Sequence, residues 1–287
     1  TTAMDHNSVL RPLNELAKQG VTYTVVGVDP KTGIVDPKDI QNAITSNTRL
    51  VAVAHGSNVT GTVQDISSIG QICGEIPFLV DAAQTMGHHP IDVQEMNINL
   101  LAFPGHKGLL GPLGTGGLIM SPGIETILSP IRCGGTGSAS ESSQQPSSLP
   151  DKYESGSHNM IGIAGLVASL EWILTRSIRT LHTHEQSLCK QFIDELRHCD
   201  AVTIIGPQTT DHRVSVFSLQ FDENPHEISN RLDEISGIAS RSGLHCAPFA
   251  HEAMGTTKSG GTVRVSFGPF HTSEDITFLT QSIINAT

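Results

Sequence analysis

Leu100-Leu101-Ala102-Phe103-Pro104-Gly105-His106-Lys107-Gly108 is the stretch on which the reading of this 287-residue chain turns. Four apolar residues run into Pro-Gly and then into a lysine beside a histidine. Two similar short runs precede it, Arg49-Leu50-Val51-Ala52-Val53-Ala54 and Pro77-Phe78-Leu79-Val80. Each is too short for a buried helix and has the unbroken apolar character of a strand covered on both faces. Between them, Asp65 to Cys73 is patterned as a helix, with Asp65 suited to its N-cap. Strands alternating with helices predict an α/β fold with a mostly parallel sheet covered on both faces. Ligands of such sheets bind at the carboxyl ends of the strands. His55, Asp81 and Lys107 all fall there or just beyond, so three polar groups from separate strands are expected to converge on one crevice.

Farther along, residues 132–150 are rich in Gly, Ser, Gln and Pro and form a loop too long for a simple connector. It is either functional or a flexible surface insertion. Ile163, Val167, Leu170 and Leu174 fall on one face of a predicted helix, and Leu188, Phe192, Ile193 and Leu196 on one face of a second. The pattern then changes. Val214 to Phe221 alternates as a half-exposed antiparallel strand, Thr262 to Phe267 reads as another strand, and a closing helix is expected from Thr272. The expected division is a large domain over 1–170 and a smaller α+β domain over 171–287.

Composition excludes several classes of function. A net charge of −11 argues against nucleic acid as a main partner, because phosphate binding needs a basic face. Five cysteines, widely spaced and never in C-x-x-C, fit a reducing compartment. They predict a cytoplasmic protein with neither a disulfide framework nor a metal site. No run of eighteen apolar residues occurs, so no membrane span is expected.

The chemistry-bearing residues can be weighed one by one. Lys107 has the setting of a lysine that must lose its proton, in a Gly/Pro-rich loop beside His106; the bland alternative is an ordinary loop lysine. Asp81 ends an apolar strand and needs a positive partner there, unless it merely caps the start of a helix. A Schiff-base lysine and an acid for a pyridinium nitrogen are the minimal protein equipment for pyridoxal phosphate. Gln84 and Asn58 could reach the phenolate oxygen of that ring; a turn-forming Asn is the plainer reading of the latter. His6 is ambiguous among 14 histidines. Cys246, between His245 and Ala247-Pro248 on a loop expected to be exposed, is a candidate nucleophile or a small buried hydrophobe. Arg264 sits in an apolar strand, and an inward guanidinium there suits a carboxylate.

Four runs now fall into one order: His55-x-Ser57-Asn58-Val59-x-Gly61, Asp81-Ala82-Ala83-Gln84, Gly105-His106-Lys107-x-x-x-Gly111-Pro112-x-Gly114, and Arg241-x-Gly243-x-His245-Cys246-Ala247. Over nearly its whole length the chain resembles the class V aminotransferase family, of PLP-dependent transferase fold type I. Within that family it is similar to the cysteine desulfurase and selenocysteine lyase branch. The short loop around Cys246 is similar to the second of the two desulfurase groups. The resemblance implies that Lys107 holds pyridoxal phosphate as a Schiff base and later moves protons. It implies that Asp81 pairs with the pyridine nitrogen, Gln84 with the ring oxygen, and that His6 stacks on the ring. His106 would contact the phosphate, as would Ser157 across a homodimer interface. Asn58 and Arg264 would hold the substrate carboxylate. Cys246 would take sulfur from cysteine as a persulfide, release alanine and pass the sulfur to an acceptor protein.

Two departures stand out. Pro104 occupies a position where relatives carry Ser or Thr as a phosphate ligand. Relatives also have roughly ninety residues before the histidine matching His6, the size of half a substantial domain. The chain is therefore expected to lack the N-terminal part of its large domain, with weakened cofactor retention. Selenocysteine lyase, a class V aminotransferase or lyase that does not use the thiol, and a catalytically impaired remnant are the alternatives.

Overall fold

The computed structural model describes residues 1–287. Small and β-branched apolar residues build its first sheet. Two helices, Asn7–Ala17 (α1) and Pro37–Ala43 (α2), lead into strand Val51–Ala54 (β1). Helix Ile66–Cys73 (α3) and strands Phe78–Asp81 (β2), Leu100–Pro104 (β3) and Gly116–Met120 (β4) come after it. The sheet order is β1-β2-β3-β4, with β1, β2 and β3 parallel and β4 antiparallel to β3. Asp65 does cap α3, accepting the Ser68 N–H at 3.0 Å.

Alternation along the strands divides this sheet into two different faces. Val51, Val53, Phe78, Val80 and Leu101 point one way and form a core with Ile40 of α2 and Ile66, Ile69 and Cys73 of α3. Ala52, Ala54, Leu79, Asp81 and Ala102 line the opposite face, which opens onto a cavity instead of a packed layer. The expected cover on both faces is thus only half present. The side chains on the open face are mostly alanine, and α1 stands off from them, leaving Leu16 and Leu50 exposed.

Helices Met160–Arg176 (α4) and Ile178–Leu196 (α5) come next and meet at a bend of 79°. The bend is made at Ser177, whose φ of 66° is left-handed and whose side chain caps α5. No single helix is long and apolar enough to cross a membrane. The second sheet comprises Thr203–Ile205 (β5), Val216–Gln220 (β6), Arg241–Gly243 (β7) and Thr262–Ser266 (β8), in the order β5-β6-β8-β7 and antiparallel throughout. Helices Pro225–Ser236 (α6), Pro248–Ala253 (α7) and Ser273–Asn285 (α8) complete it. Its core is centred on Phe192, Phe217 and Phe267, with ring centroids 4.5–5.7 Å apart. A reciprocal capping box between Thr272 and Asp275 starts α8.

Strand β6 departs from expectation. It is antiparallel, but both its faces are buried. Phe217 and Leu219 enter the aromatic core, while Val216 packs on Val63 and Ser218 donates to the Val59 carbonyl at 2.7 Å. Its second face is covered by the loop after β1, far away in sequence. Helix α4 carries the predicted apolar positions, but Ile163, Val167 and Leu174 on it are exposed. It runs through residue 170, so the two sheets lie to either side of a helix that spans the expected division. Residues 132–150 contain no helix or strand. The side chain of Gln145 ties their two ends, accepting from Gly134 N–H and donating to the Asp151 carbonyl.

Candidate active site

Register builds the crevice. Ala54, Asp81 and Ala102 are neighbours across β1, β2 and β3, all facing the cavity. The flanking methyl groups are too small to fill the space beside the carboxylate. Asp81 Oδ1 accepts the Ala83 N–H at 2.9 Å, and no cation of the chain forms an ion pair with it. The cavity measures about 790 Å³ and is bounded by α1 on the side away from the sheet.

Lys107 reaches the same cavity from the turn after β3. That turn is folded tightly on glycine. A Cβ at Gly105 would lie 2.2 Å from Thr115 Oγ1, and one at Gly108 would lie 2.4 Å from the Met86 carbonyl oxygen. Lys107 is exposed to the open cavity, yet burial of its amine lowers its pKa; Asp81 opposes that effect and Arg264 adds to it. Water in the open crevice screens part of this depression. His6 caps α1, accepting the Ser8 N–H on Nδ1 at 3.0 Å, so in its neutral form the ring proton sits on Nε2. Burial lowers its pKa, and Lys107 lowers it further. Gln84, His106 and Asn58 also line the cavity, and the side chains of Gln84 and His106 form no hydrogen bond within the chain.

Two predicted residues, Arg264 and Cys246, are not among the residues that line the cavity but bond to segments that do. Arg264 donates to the Asn58 carbonyl at 2.8 Å and has no carboxylate partner, so its remaining N–H donors are available. Burial lowers its pKa, with Arg241 adding and Cys246 opposing. Cys246 is half-buried rather than exposed, and Arg241 Nη2 lies 3.4 Å from its sulfur. Its carbonyl accepts the Asn7 N–H at 2.8 Å, which seats the thiol turn against the start of α1, next to His6. Ser157 lies exposed in the segment before α4, outside the cavity lining.

His55 does not join the crevice. It comes directly after Ala54, so alternation turns it to the opposite side, where its ring packs edge-on against His89 at 5.0 Å. Burial pushes its pKa down to about 3. Arg241, His245, Thr262 and Ser218 were not marked as site residues by the sequence patterns, yet they frame Cys246. The motif around Cys246 contained the first two; nothing in strand periodicity distinguishes a buried hydroxyl from an outward one.

Fold and site define an α/β chain in which a lysine of shifted pKa and an unpaired carboxylate share a strand-end crevice, with a thiol at its edge. The chain belongs to the aminotransferase class-V family, whose pattern matches residues 1–279. It is 36% identical to a probable cysteine desulfurase of Methanothermobacter thermautotrophicus, over 98% of this chain and 70% of that one. A probable cysteine desulfurase of Halalkalibacterium halodurans is 33% identical, over 98% and 69%. The apo structure of a cysteine desulfurase from Thermococcus onnurineus superposes with a TM-score of 0.88 at 29% identity, covering 99% of this chain and 71% of that one. The cysteine desulfurase CsdA of Escherichia coli gives 0.86 at 28%, covering 99% and 70%.

Proposed function

We propose that this chain is a pyridoxal-phosphate-dependent cysteine desulfurase. It would convert L-cysteine to L-alanine and leave the sulfur on Cys246 as a persulfide, for delivery to an acceptor protein in the cytoplasm. The observation that carries this reading is the shared crevice of Lys107 and Asp81, with the Cys246 turn tethered at its rim. The names of the relatives support it.

The residues fit the cofactor's ring end. Asp81 is an unpaired acid beside two alanines, suited to a protonated pyridine nitrogen. Gln84 has a free amide to offer the ring oxygen, His6 a ring to lie against it, and His106 a contact to phosphate. Lys107 would bond the aldehyde carbon through Nζ. Its lowered pKa favours the neutral, nucleophilic amine and a later role carrying protons. When bound, pyridoxal phosphate supplies an electron sink for bonds breaking at the substrate α-carbon. Arg264 and Asn58 would take the substrate carboxylate at the edge where Cys246 waits. The thiolate of Cys246 attacks the substrate sulfur, the C–S bond breaks with its electron pair leaving on carbon, and protonation gives alanine. Cysteine plus a thiol thus becomes alanine plus a persulfide, with no external oxidant. Ser157 is assigned to the phosphate of a second subunit in a homodimer, and the exposed apolar face of α4 supports such a dimer.

Incubation with pyridoxal phosphate, borohydride reduction and peptide mapping tests the site. A single adduct on Lys107 is expected, and Lys107→Ala should remove it. Adducts scattered over surface lysines would refute the assignment.

A further inference from the structure

The turn that carries Cys246 is held in an unusual shape. His245 and Cys246 both have positive φ, 50° and 60°, and neither is glycine. Consecutive left-handed residues with side chains are conformationally costly and persist where the surroundings hold them. Two tethers act on the backbone: the Asn7 N–H bonds the Cys246 carbonyl at 2.8 Å, and the Asn58 amide bonds the His245 carbonyl at 2.7 Å. A third acts through the imidazole of His245, which is 2% exposed.

Donor arithmetic fixes the direction of that third tether. The Val59 carbonyl can only accept, so the Ser218 hydroxyl gives it its proton at 2.7 Å. Thr262 Oγ1 donates its own proton to Ser218 at 2.9 Å. Thr262 then has none left for the histidine 3.0 Å away, and must accept from Nε2–H. Nε2 of His245 therefore carries a proton; Nδ1 is buried without a partner, and burial, which pushes the pKa down to about 3, keeps the ring neutral. A one-way chain runs from the thiol turn through β8 and β6 to the loop that bears Asn58 and lines the crevice. Val59 is next to Asn58, whose carbonyl also receives Arg264.

We propose that His245 is a positioning residue for Cys246. Through Thr262 and Ser218 it locks the left-handed thiol turn to the loop of Asn58, so that the nucleophile and the substrate-carboxylate site keep a fixed relation. This rests on the desulfurase reading for its catalytic consequence, but its structural core can be tested without it.

The test compares Thr262→Val, which removes the hydroxyl at nearly constant shape, with Thr262→Ser, which restores it. His245→Gln is a second probe. Alkylation of the intact chain by iodoacetamide is tracked cysteine by cysteine by mass spectrometry, with Cys199, which packs against the core of the second sheet, as the reference for opening of that core as a whole. In Thr262→Val and His245→Gln, Cys246 should react about 5-fold faster or more while Cys199 stays unchanged, as expected for local opening. Thr262→Ser should return to the wild-type rate. With the cofactor-loaded protein, kcat should fall about tenfold in Thr262→Val with little change in KM, the mark of a misplaced reacting group. An unchanged Cys246 rate, an equal rise at Cys199, or failure of Thr262→Ser to rescue would overturn the proposal. Absence of turnover in the wild-type chain would sink the desulfurase reading instead, and the alkylation comparison would still decide the role of His245.

Discussion

Single residues in this protein are governed by what burial does to charge. His55, His245 and His251 are nearly inaccessible, each with one ring nitrogen lacking a partner. Burial pushes their pKa values from 6.5 down to about 3, about 3 and about 4. The unfolded chain therefore binds more protons than the folded one as pH falls below 6.5. Stability is full above that value and is lost as pH drops toward 3–4. At about pH 5 each such histidine costs about 2 kcal/mol relative to neutral pH. Urea unfolding midpoints should fall steeply between about pH 7.5 and about pH 5, and His55→Gln should flatten that dependence. A midpoint that holds steady over the range would show that these rings protonate without cost.

At the level of elements, α3 braces the underside of the first sheet, and so fixes the height at which Asp81 stands in the crevice. Ile69 is fully buried in that contact. Ile69→Ala should cost about 2–5 kcal/mol in urea unfolding, the usual result of a cavity in a packed core. A loss below about 1 kcal/mol would mean that the layer repacks and that α3 is not the brace. Elements were the most legible part of the sequence. Asp65 announced α3, Thr272 announced α8, and the apolar runs of β1, β2 and β3 were visible because short buried parallel strands have no polar face to interrupt them. The second face of β6 was hidden, because the loop covering it comes from residues 59–63. His55 was misassigned to the crevice because one step past a strand end reverses the side a residue faces. Lys107, Asp81 and Gln84 were legible from their strand-end positions. The frame around Cys246 was not: Asn58 and His245 are 187 residues apart and meet only in the fold.

On the scale of the whole molecule, the two sheets are joined by a buried seam. Arg213 lies at its centre with no carboxylate partner; its guanidinium donates to the Pro207 and Val216 carbonyls and stacks over Phe217 at 4.2 Å. The chain spans about 70% of the length of its relatives, and one face of its first sheet is open. The outer face of α4 is apolar as well: Met160, Val167 and Leu174 fall on one side of the helix and are 67%, 49% and 71% exposed. Contiguous exposed apolar surface of this kind marks an interface. The chain should sediment as a dimer at micromolar concentration. Val167→Glu combined with Leu174→Glu should shift it to monomer with unchanged circular dichroism. A wild-type monomer would remove the basis for sharing Ser157 between subunits.

The most direct test of the central claim tracks one sulfur atom. The chain is loaded with pyridoxal phosphate, given L-cysteine without reductant, and its cysteine peptides are weighed. One added sulfur on the Cys246 peptide, together with free alanine, is the predicted result; Cys246→Ser should lose both, with alanine release down about 100-fold or more. Alanine formed at the wild-type rate by Cys246→Ser, or sulfur found on another cysteine, would contradict the account.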